Sequence, residues 1–401
     1  MKITKALFLV FLLLFIGCSK ESTEPSGSNK IKIGVVVPYS GECAAFGTPS
    51  VRAIQLAVKE INDSGGIMGK DIELIIKDSR TDAYYGKTKA VELAEDEDVI
   101  AILGADNSDV SWAISDELDN LGVIQITGSS TASGLTHQDG CFRTVPYTAQ
   151  EAQHIVSFIR SITNTMRILY VDDLYGEDLS EKVRQNFVNT GGVVQRMVAF
   201  ESGKTSYSAE IDSIYTESPG TPQIFLIAYP QSGAQIIRDW KASGRPGVWY
   251  LSKDLKAPEF ITNAFSENVE GLIGFGPHGL DTTYTLFQEA YIDYWGEDPY
   301  NYRCTEHWYD AMILLGYGIL RANSLQPEII ADSILTVSFA PGSLVTVGEF
   351  ARGKDILING GEINFEGASG RVNFSAQGDV TGAYETWQIV GGEFVPYESR
   401  R

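Results

Sequence analysis

Apolar and polar positions alternate in blocks along this chain. The first block is Ile31–Val37, nearly all apolar and rich in Val and Ile. A run that short and that β-branched predicts a strand buried on both faces. Pro38 ends it, and Tyr39–Gly47 reads as a loop. Thr48 then offers an N-cap with Pro49 at the first helical position. Val51, Ile54, Val58 and Ile61 follow at helical spacing, and Gly65-Gly66 stops the helix. The product is a strand, a loop at its carboxyl end and a covering helix. In open α/β sheets a ligand sits at such loops.

The unit recurs. Ile72–Ile76 reads as a strand, Asp82 caps a helix over Ala83–Glu95, and Val99–Leu103 is the next strand, with Gly104–Asn107 as its loop. Val110–Leu121 reads as a helix and Val123–Ile126 as a strand, followed by the loop Gly128–Gly134. After Arg143–Gln150 a second series begins: strand Arg167–Val171, loop Asp172–Gly176, helix Glu177–Thr190, strand Val193–Phe200 and helix Ser206–Glu217. Strand Ile224–Ala228, helix Ser232–Ser243 and strands Val248–Leu251 and Gly271–Phe275 complete it. Alternation of this kind predicts parallel sheets with helices on both faces, and two series predict two similar lobes. Two long helices follow, Tyr284–Trp295 and Thr305–Ala322. Gly361–Tyr397 reads as β-hairpins.

Composition narrows the class. The chain has 401 residues, 43% hydrophobic and 11% aromatic, values of a globular protein with room for two cores. Its net charge of -21 repels nucleic acid and anionic membrane surfaces, so neither is expected as a partner. Lys2 and Lys5 precede an apolar run, Ala6–Gly17, too short for a bilayer that needs about 20 residues. With Cys18 next, residues 1–17 resemble a bacterial lipoprotein signal. That resemblance implies cleavage before Cys18 and its lipidation, with residues 18–30 as a polar tether. Phe15 and Ile16 depart from the usual cleavage box.

Catalytic signals are poor. There is no G-x-S-x-G, no H-E-x-x-H and no G-x-x-x-x-G-K-[ST]. Gly274–Gly279 fits G-x-G-x-x-G, but Pro277 removes an N–H that a phosphate cradle would use, so a hinge after a strand is the better reading. Asp172-Asp173 and Asp96–Asp98 read as a loop turn and a solvated helix end. Cys43, Cys141 and Cys304 include no C-x-x-C pair, and the four histidines have no metal spacing. No enzyme, metal or cofactor is expected. The loops at strand ends are more informative: they carry Ser108, Ser129, Ser130 and Thr131, then Tyr175, Tyr229 and Asp254. Hydroxyls and N–H groups suit a carboxylate, an acid suits an ammonium, and tyrosines give flat walls with polar tips. Together they would hold a zwitterion.

The segments IKIGVVVPYSGECAAFG, AVKEINDSGGIMGKDIELIIKDS, VIAILGADNS, IQITGSSTASGLT, CFRTVPYTAQEAQ, ILYVDDLYGED and GRVNFSAQGD, in this order over nearly all of 31–400, resemble the type I periplasmic binding proteins of the branched-chain amino-acid group. The resemblance implies an α/β fold of two Rossmann-like lobes with parallel sheets, joined by three hinge crossings and closing on a ligand. It places lobe 1 at 31–146 and 276–378 and lobe 2 at 147–275 and 379–401. The hinges fall at Arg143–Thr148, Gly274–Gly279 and Gly378–Thr381. Phe46 matches an aromatic wall position. Ser108, Ser129 and Thr131 match positions that hold the ligand's α-carboxylate and α-ammonium, Tyr175 and Tyr229 match second-lobe walls, and Asp254 matches the acidic ammonium partner. Asn107 stands at one of the family's disulfide cysteines. Asp106 and Asp109 flank Ser108 and would oppose a carboxylate unless both point away. The implied function is a lipid-anchored, extracytoplasmic receptor that hands an amino-acid-like solute to an ABC permease. The alternative is a ligand-sensing lipoprotein of the same fold.

Overall fold

The structure, a computed structural model, describes residues 30–137, 140–216, 220–279 and 282–398. The expected signal at 1–17, Cys18 and most of the expected tether at 18–30 lie outside the described residues. The first sheet contains β1 (Lys30–Val37), β2 (Asp71–Asp78), β3 (Ala101–Gly104), β4 (Ile124–Thr127) and β5 (Cys141–Arg143), all parallel, in the order β2-β1-β3-β4-β5. Ile33, Val35 and Val37 face one core, while Val36 faces another with Ile102 and Val110. Both faces are therefore covered, which is why Ile33–Val37 carries no polar side chain.

The second sheet repeats that order with β6 (Thr165–Val171), β7 (Val193–Phe200), β8 (Gln223–Ile227), β9 (Val248–Leu251) and β10 (Ile273–Pro277), running β10-β9-β8-β6-β7. In each sheet the strand order reverses beside the first strand of its series, and the crevice at the carboxyl ends of such strands is where ligands bind. A small sheet of β11 (Ser343–Thr346), β12 (Ile363–Gly367) and β13 (Gly370–Arg371) packs in the first lobe. The hairpin of β14 (Tyr384–Val390) and β15 (Glu393–Pro396) adds antiparallel to β10. Helix Thr305–Ala322 is buried almost throughout and fills the first core.

The chain passes between the lobes three times. Arg143 closes β5, and helix Thr148–Arg160 then packs Ala152, Ile155 and Ile159 into the second core. β10 leads to helix Thr282–Trp295, whose Tyr284, Phe287 and Tyr291 lie in the first core. Val380 belongs to the first core, and β14 follows it in the second sheet. Gly276 and Pro277 pair with Glu385 and Tyr384, inside the second sheet.

Several boundaries differ from the sequence reading. The first helix begins at Gly47, continuing a short 3-10 turn over Ala44–Phe46, so Thr48 lies inside it rather than capping it. Ser108 opens a helix that runs to Leu121. Asp173 caps helix Leu174–Asn189 by accepting from the Gly176 N–H, so Tyr175 stands in its first turn rather than in a loop. Gly176 permits this turn, because a Cβ there would fall 2.0 Å from the Val171 carbonyl oxygen. Helix Thr148–Arg160 was not foreseen at all.

Candidate functional site

The carboxyl ends of the strands in the two sheets face one another across a sealed seam. All eight residues singled out from sequence are buried there; Tyr229, the most exposed, retains 3% of its surface. Thr127, at the end of β4, organises the loop after it. Its hydroxyl donates to the Ala105 carbonyl at 2.7 Å and accepts from the N–H groups of Ser129 and Ser130. Gly128 allows the loop to lie on Trp308, since a Cβ there would fall 2.7 Å from the indole.

The hydroxyls have different fates. Ser129 donates to the Asp106 carbonyl at 2.8 Å and accepts from Arg303. Ser130 is held by the framework, bonded to the Ala105 carbonyl and the Ser111 hydroxyl. Ser108 accepts from the Ala132 N–H at 3.4 Å. Thr131 presents a buried hydroxyl with no partner, while its carbonyl accepts from the Thr148 N–H and hydroxyl and from Arg143.

On the second lobe, the rings of Tyr175 and Tyr229 lie 6.2 Å apart. The Tyr229 hydroxyl donates to Asp173 at 2.6 Å and accepts from Asn107 of the first lobe at 2.5 Å. Burial pushes the Asp173 carboxyl up to about 7, although the Tyr229 and Gly176 hydrogen bonds oppose the rise. Asp254 is held by two cations: Lys253 at 2.9 Å and Arg303 on its other oxygen. Burial alone would raise its carboxyl, but these two charges hold it below the ordinary carboxylate range.

Arg303 and Lys253 are the residues that sequence reasoning missed. Arg303 is 4% exposed, pairs also with Asp106 at 3.2 Å, and stacks its guanidinium 3.9 Å from the Phe46 ring. Lys253 lies 4.3 Å over the Tyr175 ring. Arg303 thus joins Phe46, Ser129 and Asp106 of the first lobe to Asp254 of the second. Asp106 points to this guanidinium. Asp109 instead accepts from the Leu174 N–H at 3.2 Å, at the start of a second-lobe helix where negative charge is favoured. Asp109 and one oxygen of Asp106 are therefore occupied, while Asp106 Oδ2 is buried without a partner. Ser133 N–H to Asp178 and Ser232 N–H to Glu42 complete the seam.

A cavity of about 230 Å³ opens at its mouth, lined by Glu42, Asn107, Asp109, Asp173 and Tyr229 among others. A larger concavity, about 570 Å³, lies on the outer face of the first lobe and contains none of the eight. Among the described residues there is no cluster of three or more metal-ligating side chains, and Cys43, Cys141 and Cys304 are free and buried. No helix among them is long and apolar enough to cross a membrane.

Two doubly wound lobes thus meet at a seam where polar groups of both converge. The chain matches the periplasmic binding protein family model over residues 30–359 and belongs to that family. It is therefore a solute-binding protein and not an enzyme. It is 26% identical, over 90% of its length and 87% of the relative's, to the chemotactic signal transduction substrate-binding protein BasB of Halobacterium salinarum. The fold is similar to that of the leucine-binding protein LivK of Thermotoga maritima (TM-score 0.79, 24% identity, 92% of this chain and 98% of that one). It is also similar to a benzoate-bound solute-binding protein of an ABC transporter from R. palustris (TM-score 0.74, 15% identity, 92% and 95%).

Proposed function

We propose that this chain is a lipid-anchored extracytoplasmic receptor that binds an amino acid, or a similar small zwitterionic or acidic solute, between its lobes and delivers it to an ABC permease. The observation that carries the reading is the convergence at one seam of first-lobe hydroxyls with second-lobe aromatic and charged groups. Ser108, Ser129 and Thr131, with Arg303 and Lys253, form the surroundings of a carboxylate. Phe46, Tyr175 and Tyr229 form the walls. Asp254 keeps the two cations aimed into the seam. Ser130 serves the loop's framework.

Lobe 1 (31–146 and 276–378) and lobe 2 (147–275 and 379–401) move as two bodies about Arg143–Thr148, Gly274–Gly279 and Gly378–Thr381. A solute touches both only when they close, so it shifts the population toward closure. The names of the leucine-binding and benzoate-bound neighbours support a carboxylate-bearing solute. A thermal-shift screen against amino acids and small aromatic and aliphatic acids tests this, because binding to the native state raises its stability. A raised melting temperature with at least one of these solutes is expected; none across the set would refute the reading. Substituting Cys18→Ala should release the protein from the membrane fraction.

A second reading, a sensor that binds the same solute without transporting it, is favoured by the chemotactic relative. Uptake of the identified solute that survives deletion of this chain would select the sensor.

A further inference from the structure

We propose that Glu151, a residue outside the eight, receives the protonated amine of the bound solute, with the Thr131 hydroxyl beside it. The inference rests on the amino-acid reading above and adds to it the residue that distinguishes an amino acid from a plain acid.

Glu151 has no exposed surface, and neither of its carboxyl oxygens has a hydrogen-bond partner. Buried carboxyls are ordinarily paired or hydrogen-bonded, because an unanswered one costs stability. Packing alone does not call for a carboxyl here. With both oxygens free, the side chain does not cap its own helix either.

Its position places it at the seam. Glu151 stands in the first turn of helix Thr148–Arg160. The N–H and hydroxyl of Thr148, which opens that turn, both bond the Thr131 carbonyl, at 3.0 and 2.6 Å. Residues three apart share a helix face, so Thr148 and Glu151 rise together from the Thr131 loop. The Thr131 hydroxyl is another buried group at the seam without a partner, as are Asp106 Oδ2 and the Tyr175 hydroxyl. One unanswered acceptor thus comes from each lobe.

The surrounding charges leave this acceptor open. Lys253, Asp254, Arg303 and Asp178 act on Glu151, and the Tyr175 and Tyr384 hydroxyls feel its charge. Lys253 is bonded to Asp254, and Arg303 to Asp106 and Asp254. Asp178 accepts from the Ser133 N–H. Asp254, the acid that the family pattern assigns to an ammonium, is already doubly paired, and Glu151 is not. Burial, only partly offset by Lys253, pushes its carboxyl up to about 7. Binding then proceeds as Glu151–COOH plus R–NH3⁺ giving Glu151–COO⁻ bonded to R–NH3⁺, with one proton released to solvent.

The experiment uses the full-length protein without its signal segment. The twenty L-amino acids and the 2-oxo and 2-hydroxy acids carrying the same side chains are screened by thermal shift. The amino acid with the largest shift is then titrated calorimetrically in phosphate and in Bis-Tris at pH 6.5, and again at pH 6 and pH 8. With a free-state value near 7, linkage predicts release of somewhat under one proton at pH 6.5. It also predicts binding about tenfold weaker at pH 6 than at pH 8. The matched acids without the amine should bind at least about tenfold more weakly. Glu151→Gln should fold, bind more weakly and lose both the proton release and the pH dependence. Equal binding of amino acids and their amine-free counterparts, without proton release, would overturn the role of Glu151 and leave a small-acid receptor standing. Silence across the whole set would overturn the reading beneath it. Burial also pushes Asp173 up to about 7, so the proton count is repeated in Asp173→Asn: release that persists there belongs to Glu151 even if Glu151→Gln misfolds, and release lost there would overturn the assignment.

Discussion

Arg303 and Asp254 form an ion pair across the seam between the lobes, both almost completely buried. Lys253 and Asp106 extend the pair into a chain of four charges. Removing one member of a buried pair leaves an uncompensated charge, and that loss exceeds what the pair contributed.

Asp254→Asn therefore acts on the fold as well as on binding. It leaves Arg303 paired to Asp106 alone and takes from Lys253 the acid it is bonded to. The expected cost is about 3–5 kcal/mol, read as a lowered urea midpoint. The loss should shrink in an Arg303→Met background, where one of the orphaned cations is gone. An unchanged midpoint for Asp254→Asn would show that the chain of charges does not tie the lobes.

Thr131→Val separates binding from stability. The hydroxyl it removes has no protein partner, so the urea midpoint should hold or rise slightly. Solute affinity should fall about tenfold, the equivalent of one lost hydrogen bond. A destabilised protein with unchanged affinity would assign Thr131 to the framework, as with Ser130.

Stability should fall as pH rises through neutrality. Burial pushes both Glu151 and Asp310 up to about 7, and both are fully buried. An unfolded Glu or Asp titrates near 4, so between these values the native state holds protons that the unfolded state does not. Unfolding free energy then decreases with pH over that window and levels off above about 8. From pH 6 to pH 8 each group accounts for about 1.4 kcal/mol, measurable as a lower urea midpoint at pH 8. Glu151→Gln should remove its share. Asp254, whose carboxyl is held low, contributes in the opposite sense, and only under acid conditions.

The strands and their order of appearance were legible because β1, β3, β6 and β8 each carry a short apolar run, Ile33–Val37, Ala101–Gly104, Ile168–Val171 and Ile224–Ile227, the mark of strands covered on both faces. The loops at their ends followed directly. Helix Thr148–Arg160 was overlooked although Ala152, Ile155, Val156 and Ile159 stand at helical spacing. The hinge expected at Arg143–Thr148 runs into its first residue, and the segment to Gln150 reads as a connection. Glu151 was lost with it, since an acid at a helix start reads as an ordinary complement to the dipole.

Arg303 was illegible for another reason. Its burial comes from acids distant along the chain, Asp106 being 197 positions away, and no local pattern announces such a meeting. Likewise, the roles of Ser129, Ser130 and Thr131 diverge only through their partners: Asp106 and Arg303, Ser111 and Ala105, and none for the Thr131 hydroxyl.

Hydrogen exchange with and without saturating amino acid, chosen by the thermal-shift screen, tests the clamp most directly. The account predicts that added solute slows exchange in two places together: the first-lobe loop Gly128–Gly134 and the second-lobe segment Ser252–Lys256 with the start of helix Thr148–Arg160. Protection confined to one lobe, or appearing instead in the outer groove beside Leu56 and Tyr294, would contradict it.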